Sequence, residues 1–158
     1  MASNDELLNQ LHQFIAETLD FRPLVEVVPG LRGGLWDQRA DGAAAYSAKG
    51  VPVIALDAGW ERWPQEHLRY VFLHECAHHR LKHTNPAMRA TATGAPGIVY
   101  ERNATNEAYT KRIEQQADQV TASYLRGFEA WKERAQIRQL QKDVEFIKWA
   151  LRQRGLVK

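Results

Sequence analysis

The amino-acid sequence predicts a compact α+β domain, with a small, mostly antiparallel sheet of about three strands packed on an N-terminal helix and followed by further helices. Three observations carry that expectation. Apolar residues recur at helical spacing through residues 4–19, short β-rich runs bounded by glycine and proline fill 24–57, and helical spacing returns after Pro64. The 158 residues suffice for one domain that buries roughly 70% of its unfolded surface. Within it, 1–126 reads as a core and 127–158 as a basic amphipathic C-terminal helix, with no internal repeat.

Each element has its own signature. Leu7, Leu8, Leu11, Phe14, Ile15 and Leu19 form one apolar stripe, which Ser3 or Asn4 is placed to cap. Pro23 closes that zone, and LVEVV (24–28) reads as a strand ended by Pro29-Gly30. A turn-rich stretch follows over 31–42. Two further strands are predicted, AAAYSA (43–48) and VPVIALD (51–57), joined through Lys49-Gly50. The second is almost wholly apolar, so both its faces should be covered.

Pro64 suits the first position of a helix and Glu66 its positively polarised first turn, and this helix should run to about His83. Residues 84–105, rich in Thr, Ala, Gly and Pro, lack a useful period; such stretches are usually functional or disordered. A movable cleft rim is one expectation for it. Helical spacing resumes over 106–126 through Ile113, Ala117, Val120 and Tyr124, with Gly127 as a candidate break. Beyond it Ile137, Leu140, Val144, Ile147 and Leu151 follow a heptad seam up to Gly155. Two heptads are short for a coiled coil, and packing of this helix back onto the body is expected.

The formal net charge is only +2, which argues against an obligate nucleic-acid binder. Residues 132–158 hold eight Lys/Arg against three Asp/Glu, leaving thirteen against sixteen elsewhere. A solvated helix face is the plain account of this basic tail, and weak, salt-dependent contact with nucleic acid is the other. Cys76 is the single cysteine, so no internal disulfide can form and a reducing compartment is expected. The polar, acidic N-terminus has no secretory-signal pattern, and no apolar run approaches the ~18 residues of a membrane span. A cytoplasmic protein with no membrane attachment is the expectation.

The functional signal lies in YVFLHECAHHRLKH (70–83). His74-Glu75-Cys76-Ala77-His78 is an H-E-x-x-H pattern directly behind a greasy run, where the pattern calls for burial. Buried carboxylates and imidazoles are costly unless an internal partner compensates them. His74 and His78 stand one turn apart on one helix face, so both imidazoles can grip a single ion. Glu75 sits beside them, placed to act as a base on a water polarised by that ion without ligating it. Cys76 faces the packed side and reads as a small core residue.

A catalytic zinc normally takes three protein ligands and a water. His83 and His79 are candidates for the third, but each is rotated about 140° from its nearest usable partner on an unbroken helix. The remaining candidate is a carboxylate from RIEQQADQV (112–120), where Glu114 and Asp118 lie four apart on one face. Glu114 as ligand, with Asp118 on the outer nitrogen of a ligand histidine, would complete a site. Taken alone, the two would pass for ordinary exposed acids.

H-E-x-x-H followed by Glu114-Gln-Gln-Ala117-Asp118 on a later helix resembles the gluzincin metallopeptidases. The small size, the strand VPVIALD feeding PQEHLRYVFLHECAHH, and the E-x-x-A-D helix are most similar to the ImmA/IrrE-type peptidase domain, over about residues 1–126. The resemblance implies a zincin-like fold, zinc held by His74, His78 and Glu114, Glu75 as general base, and Asp118 orienting a ligand histidine. Ala77 stands where that group usually has glycine. Lys82 stands where it often has histidine, with His83 one position later, a spacing closer to the membrane-anchored HtpX-like peptidases.

The activity so implied is zinc-dependent hydrolysis of a peptide bond in a protein partner, by family likeness a DNA-binding repressor, with any regulator on a separate chain. Candidate oxyanion donors are Tyr100, Tyr109, Tyr124, His79 and His83, and either AAAYSA or VPVIALD could pair with an extended substrate at a sheet edge. The five tryptophans serve packing by default, with Trp60 and Trp63 as a candidate aromatic substrate wall. A zinc-fold module that sequesters or inhibits its partner without cutting would carry the same ligands, and is the alternative reading.

Overall fold

The most apolar of the three strands takes the centre of the sheet. In this computed structural model, which describes residues 2–29, 41–47, 49–82 and 107–156, the strand order is β1 (Leu24–Val28), β3 (Pro52–Asp57), β2 (Gly42–Tyr46). Val53, Ile54, Ala55 and Leu56 of β3 are all buried. β1 pairs with β3 in parallel, Leu24 opposite Val53 through Val28 opposite Asp57. β2 pairs with it antiparallel, Gly42 opposite Leu56 through Tyr46 opposite Pro52. The α+β class and three-strand sheet are as expected. The pairing is mixed, because the short reversal after Tyr46 dictates an antiparallel partner while the longer path from β1 to β3 permits a parallel return.

α1 (Asn4–Leu19) starts at Ser3, whose hydroxyl accepts the Glu6 N–H at 3.2 Å. It stops at Asp20, which adopts the left-handed conformation (φ 49°) that a short polar side chain tolerates. Leu7, Leu11, Phe14 and Ile15 turn inward, each burial worth about 1.5–3 kcal/mol. The Asn4 amide donates to the carbonyls of Trp60 and Trp63 at 3.0 and 2.9 Å, tying α1 to the 3-10 turn (Trp60–Arg62) that leads into the next helix. Trp60 itself is buried in the core.

α2 (Gln65–Arg80) packs against α1, β2 and β3. Every residue from Val71 to His79 is buried, so this half of the helix is enclosed all round rather than along one stripe. Gly42 permits the approach of β2 to α2: a Cβ there would lie 2.6 Å from Val71 Cγ1 and 3.3 Å from Glu75 Cγ.

α3 (Glu107–Gln153) is a single helix of 47 residues. The predicted break at Gly127 does not occur. One glycine costs only ~1 kcal/mol in a helix interior, and Leu125, Arg126, Glu129 and Ala130 around it are good helix formers. The helix that carries Glu114 and the expected C-terminal helix are therefore one element. The chain divides into two compact units, Met1–Leu125 and Arg126–Lys158. In the second, Phe128 and Trp131 are buried and stacked at 6.0 Å. The heptad seam, expected to be covered, is instead exposed: Ile137 54%, Leu140 62%, Val144 47%, Ile147 55%. Among the described residues no helix is long and apolar enough to cross a membrane. The predicted rim at 84–105 and most of the turn-rich stretch at 31–42 lie outside the described residues.

Candidate metal centre

The enclosed half of α2 places His74 and His78 one turn apart, 8% and 1% exposed, with their rings 4.7 Å apart and nearly perpendicular. From α3, where Ile113 and Ala117 face inward, Glu114 reaches both. His74 Nε2 lies 3.0 Å from Glu114 Oε2, His78 Nε2 lies 3.3 Å from Glu114 Oε1, and the two Nε2 atoms are 3.2 Å apart. Ligand atoms about 2.0–2.1 Å from one tetrahedral ion would stand about 3.3 Å from each other. One ligand atom from each residue lies within 4.8 Å of the others, so His74, His78 and Glu114 form a group that could hold a metal. The structure brings together the three residues that the sequence singled out.

The next layer fixes which nitrogen of His74 is free. Its Nδ1 faces Asp118 Oδ1 at 3.3 Å and Thr121 Oγ1 at 3.3 Å. The Thr121 hydroxyl donates to the Ala117 carbonyl at 2.6 Å, so it offers Nδ1 a lone pair. Both neighbours are acceptors, so Nδ1 carries a proton, and Nε2, 3.0 Å from the Glu114 carboxylate, is the nitrogen left to share a proton with Glu114 or to bind a cation. Asp118 also accepts the Tyr70 hydroxyl at 2.5 Å, and the Tyr70 ring stacks on His74 at 5.2 Å. Burial works against a charge on His74, but the Glu114 hydrogen bond and the charges of Glu75, Glu114 and Asp118 outweigh it and raise its pKa above 6.5. A proton held between Nε2 and Glu114 occupies the place a cation would take, so the two compete.

Glu75 is 7% exposed and is not one of the three converging donors. Burial, helped by the Glu114 charge, lifts its pKa, while His78, His74 and the Ala44 N–H pull it down by less. That Ala44 contact follows from the sheet. Asp57 N–H donates to Asp41 O and Ser47 N–H to Val51 O, so the odd-numbered residues of β2 carry the ladder to β3. Gly42, Ala44 and Tyr46 point their backbone groups to the other side, and Glu75 meets β2 there.

Other expected participants fall elsewhere. His79, a candidate ligand and oxyanion donor, gives its Nε2 to the Val53 carbonyl at 2.8 Å and lies between the Phe21 and Tyr46 rings, where burial lowers its pKa. It ties α2 to β3. Cys76 is 1% exposed and burial pushes its thiol well up, as befits a core residue. Tyr124 is half-buried, where burial raises its pKa. Trp63 lies edge-on to His67, 4.9 Å away. His83 and Tyr100 lie outside the described residues, as does the side chain of Tyr109.

Two neighbours of the site escaped the sequence reading. Tyr70 stands four residues before His74, the same spacing that pairs His74 with His78, and could have been found by extending the pattern backwards. Thr121 had no such signal, since a threonine on an amphipathic helix is ordinary. Comparison with known protein families, with curated proteins and with solved structures finds no match.

Proposed function

We propose that the chain is a zinc-dependent peptidase of gluzincin type, resembling the ImmA/IrrE group, that hydrolyses a peptide bond in a protein partner. The observation that best supports this reading is the convergence of His74 Nε2, His78 Nε2 and the Glu114 carboxylate in contacts of 3.0–3.3 Å, beside the buried Glu75 carboxylate that stands outside that group. Two imidazoles and one carboxylate suit zinc better than calcium or magnesium, which favour all-oxygen sites. When bound, zinc supplies a Lewis acid and lowers the pKa of water toward ~7.

The protein's own groups supply the rest. Glu75, with its pKa lifted by burial, takes the proton of the attacking water and returns it to the leaving amine. Asp118 and Thr121 keep the His74 proton on Nδ1, and Tyr70 holds Asp118 in place. An extended substrate has a natural seat on the side of β2 turned away from β3, where strand addition would lay its peptide bonds beside Glu75. Of the two strands considered for that role, β3 is central and paired on both sides, which leaves β2. A DNA-binding repressor is the partner class the resemblance suggests, and the single buried thiol suits the cytoplasm.

Metal analysis tests the reading before any substrate is known. Wild type should carry about one zinc per chain. Glu114→Ala should weaken binding by more than the ~10–100-fold typical of losing a supporting residue such as Asp118. Glu75→Gln should keep the metal yet lower cleavage of an unfolded test protein by about 10²–10⁴-fold. Undiminished metal binding in Glu114→Ala, or wild-type cleavage by Glu75→Gln, overturns the proposal. A partner that stays bound but intact on the zinc-loaded protein points to sequestration instead.

A further inference from the structure

The second unit carries an interface signature that does not depend on the metal site. Ile137, Leu140, Val144, Ile147 and Leu151 recur at alternating spacings of three and four. That makes Ile137, Val144 and Leu151 the a positions, and Leu140 and Ile147 the d positions, of consecutive heptads. Four of the five are 47–62% exposed. Ile137, Leu140 and Val144, with Gln141 and Glu145, form one open surface of the helix.

We propose that this seam pairs with the same seam of a second copy of the chain, as a short parallel two-stranded coiled coil. The choice of side chains favours that state. β-branched Ile137 and Val144 at a, with Leu140 at d, is the combination that selects two parallel strands, against which Ile147 at d and Leu151 at a, the pairing of higher oligomers, stand only at the C-terminal end. The flanks are complementary to themselves in the same orientation. Gln136 and Asp143 hold the g positions; Gln141 and Lys148 hold the e positions. In a parallel pair each g faces the e position five residues further along the other chain. Asp143 therefore meets Lys148 of the second copy, twice by symmetry, and Gln136 meets Gln141. Across these e and g positions no like charges face each other. In an antiparallel pair centred on Val144, g meets g and Asp143 would confront its own copy.

Existing contacts do not compete with this pairing. The Gln139–Asp143 hydrogen bond (3.0 Å) and the Lys148–Glu145 ion pair (3.4 Å) are exposed and worth little. Glu133 and Arg154, at the next d positions outward, close the seam at both ends. A membrane surface is the weaker fit. A helix lying in the lipid interface gathers its apolar groups on one side and its basic groups on the other. Here Phe146 and Trp149, 65% and 55% exposed, sit on faces turned away from the seam.

Sedimentation equilibrium of the full chain tests the proposal. Its mass should rise with concentration across the micromolar range to twice 18.1 kDa. Leu140→Glu/Ile147→Glu should hold it at the monomer mass while keeping the urea midpoint of the wild-type monomer, which shows that the first unit remains folded. Asp143→Lys should weaken dimerisation by about tenfold or more, and Asp143→Lys/Lys148→Asp should restore it. A chain that is monomeric throughout, or a dimer indifferent to Leu140→Glu/Ile147→Glu, overturns the proposal. So does failure of the double charge swap to restore pairing. Binding of a monomeric chain to anionic phospholipid vesicles, lost in Leu140→Glu/Ile147→Glu, would replace it with a membrane contact.

Discussion

The two units of the chain depart from the usual rule of burial in opposite directions. In Met1–Leu125, α2 hides His74, Glu75, His78 and His79; in Arg126–Lys158, α3 shows Ile137, Leu140, Val144 and Ile147 to solvent. Buried polar groups and contiguous exposed apolar ones are the informative exceptions in a folded protein. The first exception is answered inside the chain. His74 and His78 have Glu114, His79 has the Val53 carbonyl, and Glu75 has the Ala44 N–H. The second is answered by a seam whose flanking charges complement a copy of themselves. The first unit meets its exception with internal contacts, and the pairing proposed above would meet the second from outside the chain.

The largest expected effect comes from the same substitution made in each unit. Leu73→Ala, at a fully buried position beside the first candidate ligand, should cost about 2–5 kcal/mol. Leu140→Ala, at a position 62% exposed, should change stability by no more than about 0.5 kcal/mol. Urea unfolding at a concentration low enough to keep the chain monomeric compares them. Similar losses at both positions would show that the seam is covered within the monomer, and the contrast between the units would collapse.

Much of this contrast was legible in the sequence, and the gaps have physical causes. The period of 3.6 located α1 and α2, and alternation with glycine and proline boundaries located the strands, because those signals are local. His74, His78, Glu114 and Asp118 could be paired across 40 residues because a buried two-histidine face needs a third donor and few candidates offer one. The strand order was hidden, since β1 and β2 are both compatible with either edge of β3. So was the continuity of α3, because a single glycine is too weak a signal to say whether a helix stops. Spacing revealed the seam but not its exposure, for the same heptad pattern serves a helix buried against its own domain.

A smaller effect sharpens the picture of the first unit. Alanine is normally preferred to glycine within a strand, by roughly 0.5–1 kcal/mol. At position 42 the added methyl would press on Val71 and Glu75, and such overpacking costs about 1–3 kcal/mol. Gly42→Ala should therefore destabilise, against the intrinsic trend, with a lower denaturation midpoint. A stabilised variant would mean that β2 has room to move off α2, and that Glu75 is not held against the strand.

The smallest effect separates a histidine that is merely buried from one built into a site. His12 packs against Phe72, ring centres 5.4 Å apart, and burial alone lowers its pKa below 6.5. At His74 the surrounding carboxylates overcome burial and raise the pKa. The consequences for stability have opposite signs. The His12 contribution is complete above pH 6.5 and is lost as the pH falls from there through its folded pKa. The His74 contribution is complete below pH 6.5 and is lost as the pH rises through its folded pKa. Removing one group isolates its share. In EDTA, His12→Gln should lose less stability than wild type between about pH 7 and about pH 5, by at most about 1.4 kcal/mol per pH unit, the limit for one proton. Guanidinium unfolding across that range measures it. A steeper loss in the variant would mean that protonated His12 gains a partner, and that burial without a carboxylate is not what sets it apart from His74.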